Sequence, residues 1–293
     1  IEWPFALILP YVFLFYVVFS FLEDTGYLPR IAVLADGVFR RMGIQGGNII
    51  PLMLGFGCAV PAILGSRAAN TYKERIMVAA MVSLAIPCAS QSAAFMSLLG
   101  DRSLFALISV YLLSMFIVLM TGLVVDKIVP GRSQALLLEV PNLLLPDRQA
   151  FMKKLKLRLK HFFIDAEGPL LMGIVIASVI VETVLLNEFS KVIAPLVQGW
   201  LGLPKEASLA LLLGIIRREL AVLPLLDLNL NTLQLIVGAV IALFYLPCLS
   251  VFAVLAKEFT VKVASLIVVV TIVSAFLFGG IVNHLGGLLL GLM

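Results

Sequence analysis

Residues 54–63 read LGFGCAVPAI, an apolar stretch ill suited to an unbroken helix. Gly55 and Gly57 lower helix propensity and Pro61 lacks an amide donor, while Cys58 stands between them with a thiol suited to a soft or borderline cation. At membrane depth such backbone is tolerated only inside protein or along a watery cavity, because lipid offers freed amides and carbonyls no partner. The stretch therefore points to a broken helix at a transport site. The alternative is a kink that serves helix packing alone, since Gly and Pro are both common in membrane helices.

The rest of the chain sets that stretch in a bilayer. Over 293 residues it is 62% hydrophobic and 13% charged, with a mean hydropathy of +1.13. A soluble chain of this length carries roughly a quarter charged residues and lacks repeated uncharged runs able to cross about 30 Å of hydrocarbon. The expected class is an all-α polytopic membrane protein. The net charge of +4 comes mostly from one loop, so it indicates orientation rather than nucleic-acid binding. Three cysteines, all in apolar segments, point to free thiols rather than a disulfide framework. A chain that starts at Ile1 is expected to be a fragment or a processed product.

Trp3 to Leu22, with Pro4 and Pro10, is long enough to span. Residues 30–42, RIAVLADGVFRRM, suit an amphipathic helix in the interface. After the broken segment at 48–64, Ile76–Gly100 is an uncharged run interrupted by Pro87, and Ser103–Val125 spans again. Residues 126–167 form the most basic loop, and within it RQAFMKKLKLRLKHFF reads as a basic helix lying on the membrane surface. The positive-inside rule places this loop in the cytoplasm. Gly168–Leu186, Thr232–Ala256 and Val263–Met293 complete six full spans, with two irregular segments.

The two halves of the chain repeat one another. GIQGGNIIPLMLG at 43–55 aligns without gaps on GLPKEASLALLLG at 202–214. Pro87-Cys88 follows Gly55 by 32 residues and Pro247-Cys248 follows Gly214 by 33, and both continue to a serine, Ser90 and Ser250. With loop 126–167 inside, counting spans makes the second half start on the opposite side from the first. That is the inverted-repeat plan of secondary transporters, with gate repeats at 1–125 and 168–293 and the site between them near the midplane.

The candidate ligands are Cys58, Cys88, Cys248 and Glu219. A proline frees the carbonyl one turn earlier, so Pro87 and Pro247 are each expected to leave an unpaired oxygen near a sulfur, a combination suited to Fe(II) or another dehydrated transition metal. Each cysteine taken alone also fits as a small buried apolar residue. Arg217, Arg218 and Glu219 are costly at membrane depth unless they face a cavity or pair, so they read either as a gate network near Gly214 or as an interfacial cluster. Ser90 and Gln91 fit as substrate contacts or interhelical glue. Glu182 is expected to face the bundle and His284 to be a packing residue. The chain carries no GxxxxGK[ST] loop, no GxGxxG after a strand and no HExxH, so it is expected not to be an enzyme or a nucleotide binder.

LEDTGYLPRIA at 22–32, GFGCAVPAI at 55–63, LEVPN at 138–142, Arg217–Glu219 and FYLPCLSVFAVLAKE at 244–258 resemble, in the same order, the membrane portion of the ferrous iron transporter B family. Ala59 stands where many members have Asn, and Gln91 where many have Arg. The resemblance implies Fe(II) as a transported substrate rather than a permanent cofactor, in the cytoplasmic (inner) membrane. It also implies two gate regions, with Cys58, Cys88 and Cys248 along the route and Glu219 at the second gate. Members usually carry a GTP-binding domain and another span upstream, so a GTP-binding domain or protein on the cytoplasmic side is an expected partner, alongside lipid, the metal ion and a second copy of the chain. Three alternatives stay open: another divalent metal, an organic solute such as a nucleoside, or a non-conducting membrane subunit that docks a soluble GTPase.

Overall fold

A computed structural model describes residues 9–100, 103–131, 147–162, 164, 168, 195, 197–214, 218–226, 228, 230–245 and 247–291. Its elements are helical: α1 (Leu9–Asp24), α2 (Tyr27–Arg41), α3 (Ile49–Gly57), α4 (Ala59–Gly65), α5 (Tyr72–Leu84), α6 (Ala89–Leu99), α7 (Leu104–Ile128), α8 (Arg148–Phe162), α9 (Ala207–Gly214), α10 (Leu223–Leu226), α11 (Thr232–Phe244), α12 (Leu249–Glu258) and α13 (Val261–Gly291), with 3-10 turns at Gly46–Asn48, Ser66–Ala68 and Arg218–Ala221. Among the described residues, four stretches are long and apolar enough to cross a bilayer: Tyr72–Leu99, Leu104–Ile128, Thr232–Glu258 and Val261–Gly287. Such a set fits a multi-pass membrane protein. The expected span at Gly168–Leu186, Glu182 and LEVPN at 138–142 lie outside the described residues.

Two of the four spans are broken at matched places. α5 and α11 each run 13 residues, and each stops just before a Pro-Cys pair. Helix resumes at Ala89 in one and at Leu249 in the other, with Cys88 and Cys248 as the extended N-cap residues. The starts match as well. Glu74 N donates to Thr71 Oγ1 at 3.3 Å. A capping box joins Asn231 and Gln234, with Asn231 N donating to Gln234 Oε1 at 3.1 Å. T-x-x-E and N-x-x-Q thus begin equivalent spans by satisfying the amides that every helix start leaves open.

A further match lies upstream of each broken span. Gly43 has φ +72° and Gly202 φ +67°, values in the left-handed region that favours glycine. A Cβ on Gly43 would collide with the Asp126 carboxylate on α7. One on Gly202 would lie 2.7 Å from Asn283 Oδ1 on α13. In each repeat, then, a left-handed glycine turn is pressed against a polar side chain of the long helix that follows the broken span.

The described residues fall into two compact units, residues 1–82 with 119–168, and 83–118 with 169–293. In the first unit α1 packs on α2 and α8. The basic helix α8 is tied to the end of α1 by Lys154, which meets Asp24 Oδ1 at 2.5 Å and Glu23 Oε1 at 3.3 Å, and by Arg158, which pairs with Glu23 and donates to Ser20 Oγ at 2.8 Å. Burial alone would lower the Lys154 ammonium, but its bonds to Asp24 and Glu23 win and raise it above the ordinary lysine range. Lys73 reaches Asp126 Oδ1 at 2.8 Å and Gly131 O at 3.2 Å.

In the second unit α11 and α12 pack against α13. Ala264, Ile267, Thr271 and Ala275 form a buried stripe at helical spacing, while Leu266, Val269, Val270, Val273, Leu277 and Ile281 are exposed. Small residues on the inner face let the helices approach closely, and the large apolar side chains left outside suit acyl chains. His284 packs edge-on against Trp200 with centroids 5.1 Å apart, and Trp200 Nε1 donates to Phe276 O at 2.8 Å, in keeping with the packing role expected of the histidine.

Candidate functional site

The stretch 54–63 breaks at Cys58. Gly57 closes α3, Cys58 is extended at φ −153° and ψ 134°, and Ala59 opens α4. Pro61 lies in the first turn of α4, where a missing amide costs nothing because that turn has no intrahelical acceptor to fill. Gly57 leaves room for the Phe15 ring, whose nearest edge would overlap a Cβ. Gly55 is buried within α3. These residues belong to the first unit, and Cys58 is half-buried and in no disulfide.

The two prolyl-cysteines lie together in the second unit. Cys88 and Cys248 are free and half-buried. Both interact electrostatically with the Arg218 guanidinium, as does Glu219. Cys88 Sγ is 3.3 Å from Ser90 Oγ, and Ser250, the repeat equivalent, is buried at 4% exposure. The turn Arg218–Ala221 that carries Arg218 and Glu219 packs against α6, α9 and α11. Gly214 ends α9 where a Cβ would press on Ala221 Cβ at 2.7 Å. Arg217 lies outside the described residues.

The carbonyls released at the first break are not left unpaired, contrary to the expectation from sequence. Pro87 has no N–H for Ser83 O, and that oxygen accepts instead from Arg218 Nη2. Arg218 Nη1 lies 3.5 Å from Ile86 O. Ser114 Oγ on α7 donates to Ala85 O at 2.6 Å. The second break is tied to the first, because Gln91 Nε2 donates to Ala242 O at 2.6 Å. Gln91 is fully buried, and its Oε1, like Ser83 Oγ, has no hydrogen-bond partner among the described residues.

The cluster therefore offers two thiols, a hydroxyl pair, a carboxamide oxygen and backbone carbonyls at the ends of two interrupted helices, with one buried guanidinium among them. Among the described residues no group of three or more His, Cys, Asp or Glu side chains is arranged to hold a metal ion. With Glu219 on the same turn as Arg218, the set mixes sulfur, carboxylate and neutral oxygen groups around one guanidinium. Sequence reasoning found the cysteines, Arg218 and Gln91 but not Ser114. A serine inside an apolar helix is too common to single out, and only its opposition to the Pro87 break gives it meaning.

Comparison with known proteins adds to this geometry. A profile described as "Gate: Nucleoside recognition" matches residues 5–102 and 163–262, more than half of the chain, and one described as "Ferrous iron transport protein B C terminus" matches residues 107–158. The chain is 30% identical over 164 residues to proteins named "Fe(2+) transporter FeoB" from Escherichia coli K12, Salmonella typhimurium LT2 and Shigella flexneri. That match covers 54% of this chain and 21% of each relative, so the chain spans about a fifth of their length. No solved structure matches the chain.

Proposed function

Because the chain belongs to the FeoB-like membrane family, with a FeoB C-terminal segment lying between two Gate segments, we propose that it transports Fe(II) across the cytoplasmic membrane through a pathway lined at its centre by Cys88 and Cys248. The observation that carries this reading is the pair of Pro-Cys-x-Ser breaks, each placing a free thiol at the N-cap of a resumed helix and both within reach of the Arg218 charge. Thiolates with carbonyl oxygens bind borderline dications well, and a pathway needs ligands that bind yet release. The gate repeats are residues 1–125 and 168–293, oppositely oriented, with 126–167 as a cytoplasmic linker. Cys58 extends the route in the first repeat, and Glu219 serves the gate of the second. A GTP-binding domain or protein on the cytoplasmic side is the partner that the family resemblance suggests.

The test is Fe(II) uptake into liposomes carrying the purified chain. Cys88→Ser with Cys248→Ser is expected to reduce uptake at least tenfold at equal protein level, and undiminished uptake overturns the thiol pathway. The description of the Gate profile favours one further reading, an organic solute such as a nucleoside. Nucleoside flux that ignores both thiol modification and competing Fe(II) would select it.

A further inference from the structure

The carbonyls at the Pro87 break already hold a cation, and it is the protein's own. Ser83 O and Ile86 O both face the Arg218 guanidinium, one through Nη2 and the other through Nη1. Arg218 is only 5% exposed, so its charge has been withdrawn from water. Cys88, Cys248 and Glu219 lie within its electrostatic range. The two carbonyl oxygens it occupies, and the sulfur and carboxylate groups in its electrostatic neighbourhood, are of the kinds that a dehydrated transition-metal dication would take. A guanidinium and a dication compete for the same lone pairs, and their like charges repel strongly where the dielectric is low.

Resting on the transport reading above, we propose that Arg218 is a tethered surrogate cation that holds the Pro87 break closed without cargo, and that an entering metal dication binds by displacing it. The arginine then lowers the apparent affinity by the fraction of time it occupies the donors, which keeps the site from trapping its cargo. It also keeps the freed carbonyls from going unsatisfied in the empty state, a cost that the membrane interior would otherwise impose.

The experiment uses the full chain in lipid nanodiscs with Co(II) as probe, read by the sulfur-to-cobalt charge-transfer absorption. Arg218→Gln removes the charge and is expected to bind Co(II) at least tenfold tighter than the native chain, with Arg218→Lys in between. Added guanidinium chloride at low millimolar concentration should weaken Co(II) binding to Arg218→Gln and leave the native chain unaffected. Equal or weaker binding by Arg218→Gln, with its circular dichroism and melting preserved, overturns the proposal. Should Arg218→Gln not hold its fold, Arg218→Lys decides: tighter binding supports the surrogate and unchanged binding overturns it. The transport reading fails separately. If neither the native chain nor the arginine variants show a charge-transfer band that Cys88→Ser with Cys248→Ser abolishes, both fall. If the band is present and the arginine variants do not change its affinity, only the surrogate role falls.

Discussion

Replacing Ser114 with alanine should destabilise the second unit more than any other single serine change on α7. Ser114 is 3% exposed, and its hydroxyl donates at 2.6 Å to Ala85 O, a carbonyl in the gap between α5 and α6. Ser109 on the same helix offers the control, since its hydroxyl donates at 2.8 Å to Phe105 O of its own helix. That acceptor also serves the helical ladder, so Ser109→Ala should cost only about 0–0.5 kcal/mol, as surface substitutions do. Interhelical hydrogen bonds in membranes average roughly 0.6 kcal/mol, with a maximum near 1.7, because unfolded membrane helices find other partners. Ala85 O belongs at the upper end of that range, because the interruption separates it from the amide that an unbroken helix would provide. The expected cost of Ser114→Ala is therefore about 1.5 kcal/mol, measured as the shift in unfolding free energy in mixed micelles. Equal costs for the two variants would refute the idea that side chains hold the Pro87 break together.

Three further outcomes follow from other contacts. Gly43→Ala and Gly202→Ala should each lose about 1–2 kcal/mol from the left-handed backbone, with more lost at Gly43 where Asp126 obstructs the new methyl. Gly37→Ala, mid-helix with no described residue within 4 Å of the new methyl, should instead be neutral or gain up to about 1 kcal/mol, and thermal inactivation of the three variants compares them. Gln91→Leu removes the bond to Ala242 O but also removes a buried carboxamide oxygen that lacks a partner among the described residues. It should therefore be milder in stability than Ser114→Ala, while still slowing transport, and the two readouts separate those effects. The Lys154 ammonium is raised in the folded protein, so the stability it adds is fully present below the ordinary lysine value of about 10.4 and is lost only as pH rises through the raised value. The melting difference between the native chain and Lys154→Met should accordingly stay constant from neutral pH to about 10 and shrink above it.

How far these features were legible in the sequence depended on their range. Helix breaks were readable because proline and glycine act on their own backbone, and the register of Pro-Cys-x-Ser located both interruptions. The glycine alignment at positions 43 and 202 had a structural basis that sequence alone did not supply, namely two left-handed turns pressed against Asp126 and Asn283. T-x-x-E at 71–74 and N-x-x-Q at 231–234 carried a legible capping signal and would have added a third match inside the repeat, between the glycine segments and the Pro-Cys pairs. What was not legible was the satisfaction of the freed carbonyls. Proline shows which acceptor is released, but the donors come from Arg218, 132 and 135 residues away, and from Ser114, 29 residues away. Nothing local to Pro87 encodes them. Within the stretch 54–63 the break falls at Cys58, and Pro61 lies in the first turn of the next helix, where a proline meets no conflict.

X-ray absorption at the iron edge, on the Fe(II)-loaded chain in nanodiscs, addresses the thiol pathway most directly. Sulfur scatterers in the first coordination shell, lost in Cys88→Ser with Cys248→Ser and strengthened in Arg218→Gln, are the expected result. A shell of oxygen and nitrogen alone, identical in the native chain and the double serine variant, would contradict it.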